Sequence, residues 1–522
     1  MSAPTESPAW ERLAQLRASL AERGLAKMVD GRSRFSDFSL RLGDLLFDFS
    51  HQEIDADVVA QLVALAEDAG VPRWRERLFA GDIVNVSERL PALHMALRAH
   101  AGDAWRANGA PVTDRVRTER ARCYRFARAV REEQHRGATG LPITDVVNIG
   151  IGASHTGPEL LCDALQPFES DRIRLHFVSN ADGADLRRVL QVCRPETTLF
   201  LVMSKTFTTQ EILLNAHTAR DWVTGELGDD ATATQFAAVT AHPDRAAEFG
   251  IAGDLTFATW DWVGDRFAVW GATGLIAMIA LGRKQFDDLL EGAREIDEHF
   301  RDAPLAENIP VMLALIGIWN RNFGDARSHC VLPYAEGLRL LPSYLQQLMT
   351  ESLAKCIDRD GRAVTYSTGP AVWGMQATDG QHAFHQLLHQ GTDAVMVDIV
   401  GFREPAEGPA HHHPVLLANL ISQVESLVVG DVIATGPNCV GGRSSTVLAF
   451  SQLTPRSLGR LLALYEHQVF VQGIVWNLNP FDKWGVELGK HLAQPILDHL
   501  KGGPRTAHDA ATDGLIDYFA GI

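Results

Sequence analysis

The segment 198–216 reads Thr-Leu-Phe-Leu-Val-Met, then Ser-Lys-Thr-Phe-Thr-Thr, then Gln-Glu-Ile-Leu-Leu-Asn-Ala. Its first part, Thr198–Met203, is apolar and β-prone, which is typical of a buried parallel strand. The residues after Thr209 have the composition of a helix start. Free backbone N–H groups and the positive end of a helix dipole would face the loop between them, so the hydroxyls around Lys205 predict an anion site. An ordinary Ser/Thr helix cap beside a surface lysine is the alternative.

A second predicted strand, residues 145–149, feeds a glycine-rich turn earlier in the chain. The turn is Gly150-Ile151-Gly152-Ala153-Ser154, and Pro158 is suited to the first turn of a following helix. The turn does not complete a dinucleotide fingerprint, because His155 stands where the third glycine is required. The chain also lacks Gly-Lys-Ser and Gly-Lys-Thr. Two Ser/Thr loops with one lysine therefore favour a small phosphorylated ligand over NAD or ATP.

Strands and helices alternate through most of the chain, which predicts an α/β fold with parallel sheets and with ligands at the carboxyl ends of the strands. The first hundred residues are predicted to be mostly helical, with short strands between 38 and 49. A second α/β portion begins near residue 305. The apolar run 267–282 predicts a buried core helix. His411–His413 predicts a loop, with metal binding as a minor alternative.

Composition excludes several classes of function. The 522 residues are 46% hydrophobic and 22% charged, which is typical of a globular protein, and the net charge of −17 disfavours a nucleic-acid or anionic-membrane partner. The six cysteines form no C-x-x-C pair, which indicates reduced thiols in a cytosolic protein. The first thirty residues hold no apolar run of signal-peptide type. The predicted phosphate site is therefore a local positive pocket in an acidic molecule.

Several stretches together resemble the glucose-6-phosphate isomerase family, over nearly the whole chain. Trp260–Phe267 (WDWVGDRF) is similar to the family's first signature, and Phe481–Lys490 (FDKWGVELGK) is similar to its second. Between them, Gly380–Phe384 (GQHAF) and His389–Thr392 (HQGT) match family segments, as does Ser204–Glu211. The combination is specific, whereas no single stretch would be.

The resemblance implies two sugar-isomerase (SIS) domains, each a three-layer αβα unit with a parallel sheet, at 111–285 and 286–500. A mostly helical segment, 1–110, would pack on the second domain, and 501–522 would form a helical tail. The implied activity is the interconversion of glucose 6-phosphate and fructose 6-phosphate, with no metal or cofactor. The implied assembly is a cytoplasmic homodimer with shared active sites, without nucleic-acid or membrane partners.

The resemblance also implies roles for individual residues. The phosphate shell comprises Ser154, Ser204, Lys205, Thr206 and Thr209, with Ala153 and Gln347 beside the substrate. The catalytic group comprises Glu351, His382, Lys490 and Arg266.

The chemistry of aldose–ketose isomerisation suits these residue types. His382 and Lys490 can act as acid and base when the sugar ring opens. A partly buried carboxylate, Glu351, can move one proton between C2 and C1, while Arg266 supplies a fixed positive charge for the enediolate. Gln347 and Glu351 are four residues apart, so a helix over 342–356 places them on one face. Without the resemblance, a solvated polar face is the alternative.

Four departures from the family's pattern concern the site. Ala153 replaces a glycine in the first loop, and Ile212 replaces a threonine that would offer another hydroxyl. Asp265 replaces the glycine before Arg266 and either neutralises Arg266 in part or points to solvent. Lys483 replaces a glutamine. Because 483, 487 and 490 would share one helix face, we hypothesise that Lys483 adds a positive charge near the phosphate and offsets the hydroxyl lost at position 212.

Two other functions stay open at this point. A SIS-type regulator that binds sugar phosphate without turnover would keep the two loops but would not need Glu351, His382, Arg266 and Lys490 together. An isomerase of another phosphosugar, such as mannose 6-phosphate, would keep them all. The presence of all four catalytic residue types argues against the regulator, whereas the sequence does not distinguish well between glucose 6-phosphate and another phosphosugar as the substrate.

Overall fold

The structure, a computed structural model, describes residues 3–170, 172–430 and 439–521, apart from the side chains at 486 and 487. The chain divides into two compact units, Met1–Pro480 and Phe481–Ile522. Within the described ranges the strands are β1 (Ser39–Leu42), β2 (Leu45–Asp48), β3 (Arg106–Ala107), β4 (Ala110–Pro111), β5 (Asp145–Ile149), β6 (Arg174–Val178), β7 (Thr198–Met203), β8 (Phe236–Thr240), β9 (Thr256–Ala258), β10 (Ala326–Pro333), β11 (Ala371–Gly374), β12 (Ala394–Phe402) and β13 (Thr446–Phe450).

The α-helices in the same ranges are α1 (Pro8–Arg23), α2 (Leu25–Val29), α3 (Arg34–Asp37), α4 (Ala56–Asp68), α5 (Val71–Ala80), α6 (Thr113–Arg131), α7 (Thr156–Ala164), α8 (Gly183–Leu190), α9 (Gln210–Leu227), α10 (Thr232–Gln235), α11 (Pro243–Phe249), α12 (Leu275–Leu281), α13 (Arg283–Asp302), α14 (Ile309–Asn322), α15 (Leu341–Leu353), α16 (Ala377–Ala383), α17 (His385–Gln390), α18 (His412–Val429), α19 (Pro455–Val475), α20 (Trp484–Leu500) and α21 (Ala510–Ala520).

The first large sheet is wholly parallel and has the strand order β6-β5-β7-β8-β9. Its central strand β7 is buried at all six positions, which agrees with the apolar run seen in the sequence. Strands β5 and β7 are direct neighbours in register, with Asp145 opposite Thr198. The loops that follow these two strands therefore leave the same edge of the sheet.

The second large sheet has the order β1-β2-β13-β12-β10-β11. Strands β10 to β13 pair in parallel, whereas β2 pairs antiparallel with β13 and with β1. The short strands predicted between 38 and 49 are thus confirmed, and they extend this sheet at one edge. The α/β class with parallel sheets is likewise confirmed.

Helix α19 lies in the interior of the first unit. Every described position from Leu461 to Val475 is buried, and the helix packs against α13, α14 and α15. A helix buried on all sides has no solvent-facing polar stripe, so its polar side chains bind other buried groups.

Two local predictions are wrong. The run 267–282 forms short 3₁₀ turns at Asp265–Phe267 and Ala272–Gly274, and the α-helix begins only at Leu275. A β-carbon at Gly274 would lie 2.3 Å from Val269 O, so the backbone is too tightly folded here for a continuous helix. His412 and His413 are in the first turn of α18 rather than in a loop, because Pro414 suits a helix start.

The second unit, Phe481–Ile522, contains α20 and α21. Over the part of the chain that is described, no helix combines the length and the apolar character needed to cross a membrane.

Candidate active site

The site begins with the two loops that leave the first sheet after β5 and β7. Ser154 and Lys205 line one small cavity together with Asp265. Ala153 and Gln347 line a neighbouring cavity, to which Asp265 also contributes. The topology of the sheet thus places both predicted phosphate loops beside α15, which carries Gln347.

The first loop needs glycine at two positions. A β-carbon at Gly150 would lie 2.3 Å from Ser154 O, so the turn closes on its own backbone. Gly152 has a φ of +55°, and a β-carbon there would lie 2.8 Å from Gln347 Nε2. Asn148 Nδ2 donates to Ser154 O at 3.0 Å and holds the far side of the turn. The loop is consequently folded tightly and packed directly on α15.

The second loop is held by one serine. Ser204 Oγ accepts from Phe207 N at 3.0 Å and lies 3.4 Å from Thr209 Oγ1. Phe207 is buried and has a φ of +51°, a strained value for a bulky residue that the surrounding packing must maintain. The buried Ser204 side chain therefore stabilises the loop conformation, whereas Thr206 is exposed at the surface of the loop. Thr209 is the N-cap residue of α9, whose N-terminus faces the loop.

The ammonium group of Lys205 lies among acceptors. Lys205 Nζ donates to Val263 O at 3.1 Å and lies 3.4 Å from Asp265 Oδ1 and 3.9 Å from Asp261 Oδ1. Asp265 thus forms an ion pair with the lysine of the phosphate loop. A phosphate group that enters here meets a lysine already paired with a carboxylate, which lowers the net attraction at this point.

The predicted catalytic residues Arg266 and Glu351 form an ion pair between two segments. Arg266, almost wholly buried, donates from Nη1 to Glu351 Oε2 at 2.7 Å. Its Nε donates to Ser352 Oγ at 3.1 Å and its Nη2 to Pro480 O at 3.1 Å. These contacts fix the plane of the guanidinium and orient one oxygen of Glu351.

The other oxygen of Glu351 ends a line of hydrogen bonds that starts at the first loop. Thr156 Oγ1 donates to Gln347 Oε1 at 2.7 Å and also to Gly152 O at 3.2 Å. Gln347 Nε2 then donates to Glu351 Oε1 at 3.1 Å. The predicted sharing of one face of α15 by Gln347 and Glu351 is thus present. A carboxylate held on both oxygens but still a quarter exposed is suited to exchange protons with a bound molecule.

A buried charge cluster lies behind the turn that carries Arg266. Arg98 binds both Asp297 and Glu466, and Glu466 Oε1 accepts from Trp270 Nε1 at 2.7 Å. His467 Nε2 lies 2.7 Å from Asp297 Oδ1. Burial raises the pKa of Glu466 to about 7 and lowers the pKa of His467. Because Trp270 is four residues after Arg266, the cluster anchors the segment that positions the guanidinium.

Comparison with known proteins identifies the family. A family model described as phosphoglucose isomerase matches residues 48–516. The chain belongs to this family. It is 44% identical over 545 residues to the glucose-6-phosphate isomerase of Methylococcus capsulatus, with 100% of each chain covered. It is 47% identical over 502 residues to that of Burkholderia cenocepacia, with 93% of this chain and 92% of the relative covered.

A solved structure supports the phosphoglucose isomerase fold directly. The crystal structure of a glucose-6-phosphate isomerase from Chlamydia trachomatis aligns with a TM-score of 0.89 at 30% identity and covers 99% of both chains. The family resemblance drawn from the sequence is therefore confirmed over the whole length.

Three further residues are implied by the phosphoglucose isomerase pattern, namely His382, Lys483 and Lys490. His382 is exposed on α16, and its side chain makes no hydrogen bond within the described part of the chain. Lys483 and Lys490 belong to the second unit. Lys483 is the residue before α20, with φ −148° and ψ 44°, so the prediction that it shares a helix face with Lys490 is wrong. The roles of all three stay predictions.

Sequence reasoning missed two members of the site. Thr156 connects the first loop to Gln347, and Ser352 accepts from Arg266. The available signals were that Thr156 lies two residues after Ser154 and that Ser352 follows Glu351 in the sequence. Neither position identifies a hydrogen-bond partner far away in the chain. Ile212, which replaces a family threonine that would offer another hydroxyl, is buried with 3% exposure. A hydroxyl at that position would lie in the interior.

Proposed function

We propose that the chain interconverts glucose 6-phosphate and fructose 6-phosphate by general acid–base catalysis through a cis-enediolate. The observation that carries the proposal is the line from Gly152 through Thr156, Gln347 and Glu351 to Arg266, set beside two Ser/Thr loops at one sheet edge. The relatives named glucose-6-phosphate isomerase over the whole chain support the same substrate.

In this proposal the phosphate binds between the loops of Ser154 and Ser204–Thr209. Thr206, the α9 N-terminus and Lys205 supply positive potential and donors, and Lys205 exchanges its contact with Asp265 for the phosphate. Remote binding of this kind fixes C1 and C2 of the open sugar against Glu351. Ala153 lies beside the sugar with Gln347.

Glu351 is the base that takes the proton from C2 and returns it to C1. Its two oxygens point in different directions because Gln347 and Arg266 each hold one, and the guanidinium of Arg266, already oriented by its contacts, stabilises the developing enediolate oxygen. His382 and Lys490 open the ring as acid and base. No step in this scheme requires a cofactor.

We further propose a homodimer in which His382 serves the site of the second copy. Helix α18 exposes Val415, Ile421 and Val429 by 61%, 62% and 49%. Gln423 of α18 binds His385 and His389 of α17, the helix that follows His382. An apolar face next to the exposed histidine supports an interface that carries His382 toward a neighbour. Six unpaired cysteines support a reducing, cytoplasmic location.

Lys483 keeps its proposed role as an additional positive charge near the phosphate, although it precedes α20 rather than lying on its face. The variant Lys483→Gln is expected to raise KM for glucose 6-phosphate at low salt and less so at high salt. An unchanged KM under both conditions would remove this role.

Glu351→Gln tests the function. We expect turnover of glucose 6-phosphate to fall by about 10²–10⁴-fold, as for loss of a general base, with sugar-phosphate binding retained in calorimetry. Glu298→Gln, the same change at a half-exposed glutamate of α13, is the matched control and is expected to keep full activity. Mannose 6-phosphate assayed in parallel distinguishes a broader phosphosugar isomerase. Full activity of Glu351→Gln would contradict the assignment of the base.

A further inference from the structure

A compact group of metal-ligating side chains lies at the amino end of the first sheet. Asp145 begins β5, His176 is on the neighbouring β6, and Cys193 follows α8. Within the described ranges these form the one group of three or more His, Cys, Asp or Glu side chains whose ligand atoms all lie within 4.8 Å of one another. The phosphoglucose isomerase chemistry proposed above uses none of them.

The distances suit a small tetrahedral cation. His176 Nε2 lies 2.9 Å and Cys193 Sγ lies 3.8 Å from the same oxygen, Asp145 Oδ1. Zinc bonds of about 2.0–2.3 Å place neighbouring ligand atoms about 3.3–3.8 Å apart. Shifts of less than about 1 Å would therefore bring an imidazole nitrogen, a thiolate and a carboxylate oxygen around one ion. This mixed set of donors is typical of zinc and not of calcium or magnesium.

The second oxygen of the carboxylate is held separately. Thr144 Oγ1 and Arg174 Nη2 each lie 2.8 Å from Asp145 Oδ2. Such outer contacts orient a ligating carboxylate and leave Oδ1 directed at the ion. The side chain of Arg174 is 59% exposed, so its guanidinium can move away from the added positive charge without unfolding the sheet. Asp145 itself is fully buried, which keeps the carboxylate in place.

We propose that Asp145, His176 and Cys193 form a binding site for a Zn²⁺-like divalent cation, with water as the fourth ligand. Coordination takes the proton from the Cys193 thiol and releases it to solvent, while His176 binds through a neutral nitrogen. Two negative ligands then neutralise the two charges of the ion. The ion would tie β5, β6 and the segment after α8 together.

The site is separate from the catalytic loops. Strand β5 runs from Asp145 to Ile149 before the loop that holds Ser154, and five residues of strand span about 13–17 Å. The cation is therefore expected to raise thermal stability while the turnover of glucose 6-phosphate changes little. Binding that favours the folded state has this effect by mass action.

The test uses the full-length protein, freed of metal and carrying Cys356→Ser, since Cys356 is an exposed thiol and any accessible thiol can compete for zinc. Zn²⁺ is titrated in competition with a chromophoric chelator, and Co²⁺ serves as a spectroscopic probe. We expect one tight site per chain, a thiolate-to-cobalt charge-transfer band, and a higher Tm with Zn²⁺. Cys193→Ser is expected to abolish the band and to weaken Zn²⁺ binding by about 100-fold, and Thr144→Val by about 10-fold.

Controls separate this site from the histidine-rich start of α18. A His411→Ala/His412→Ala variant is expected to keep both the band and the affinity. His176→Gln offers a second ligand variant, so a folding defect in Cys193→Ser does not decide the result. Arg174→Met is expected to bind Zn²⁺ as tightly as the parent or more tightly. Absence of the cobalt band, or affinity that depends on His411 and His412 instead of Cys193, would overturn the proposal.

Discussion

Each nitrogen of the Arg266 guanidinium donates to a different acceptor. The acceptors are the carboxylate of Glu351, the hydroxyl of Ser352 and the carbonyl of Pro480. A planar fork can satisfy three acceptors in fixed directions, which a single ammonium group cannot. In the proposed mechanism, the charge that stabilises the enediolate is therefore already oriented before a substrate binds.

Arg266→Lys keeps the charge but loses this geometry. We expect kcat for glucose 6-phosphate to fall by about 10²–10³-fold, the usual cost of removing one oriented donor to a developing oxyanion. Steady-state kinetics measure the effect, and Arg301→Lys on the exposed side of α13 is the control. Near-normal kcat in Arg266→Lys would show that charge alone suffices.

Glu169 gives a pH-dependent prediction outside the site. Burial, with a smaller contribution from Asp163, raises the pKa of Glu169 from 4.5 to about 7, and Glu169 Oε1 lacks a hydrogen-bond partner within the described chain. Because the folded pKa exceeds the unfolded one, stability is full below about pH 4.5 and is lost as pH rises toward 7.

Glu169→Gln removes the charge that the fold disfavours. We expect the variant to be more stable than the parent at pH 8 by about 1–2 kcal/mol after allowance for solvent screening, with almost no difference at pH 4.5. Urea unfolding at the two pH values measures this. Glu248→Gln, an exposed site on α11, should show no such pH dependence. An equal effect of Glu169→Gln at both pH values would contradict the shifted pKa.

Among the elements, the turn after β5 connects the first predicted phosphate loop to the proposed base. The carbonyl oxygen of Gly152 accepts a hydrogen bond from Thr156 Oγ1. A side chain at position 152 would collide with the amide of Gln347. The turn thereby sets the position of an amide that holds Glu351. In the proposed mechanism, the loop that would bind phosphate therefore also positions the base.

Gly152→Ala separates the two contributions of this glycine. The alanine must adopt a φ of +55° and would place its β-carbon 2.8 Å from Gln347 Nε2. We expect a loss of about 1 kcal/mol of stability from the backbone and a further loss in kcat from the displaced amide. Gly140→Ala is the matched control, because Gly140 has a φ of +80° with open space around it. The Gly140→Ala control is expected to lose stability but to keep its activity. Equal losses of activity in both variants would contradict the steric argument.

At the scale of the whole molecule, the exposed face of α18 predicts assembly. Ile421→Glu places a charge in the proposed interface, so we expect the dimer to dissociate and the activity to fall with it, since His382 would no longer reach a second copy. Light scattering and activity measured over the same concentration range test this. Val192→Glu puts the same charge on an exposed valine after α8 and is expected to change neither. A fully active Ile421→Glu monomer would contradict shared sites.

Short-range pattern predicted much of the architecture. The buried strand 198–203, the helix after Thr209 and the pairing of Gln347 with Glu351 depend on side-chain period and helix spacing, which act over a few residues. The prediction of one helix over the apolar run 267–282 is wrong because a hydrophobic sequence is as compatible with buried turns as with a buried helix. The close approach of backbone at Gly274 decides between them.

The sequence by itself determined the α/β class and the two Ser/Thr loops, since these depend on local periodicity and residue type, whereas the predicted acid, base and cation follow from the family resemblance. Only the tertiary structure decided which of them meet. Thr156 bonds to Gln347 across 191 positions, Arg266 to Glu351 across 85, and Asp265 pairs with Lys205 rather than pointing only to solvent. Such contacts depend on how helices and sheets pack in three dimensions, and no spacing along the chain encodes that distance.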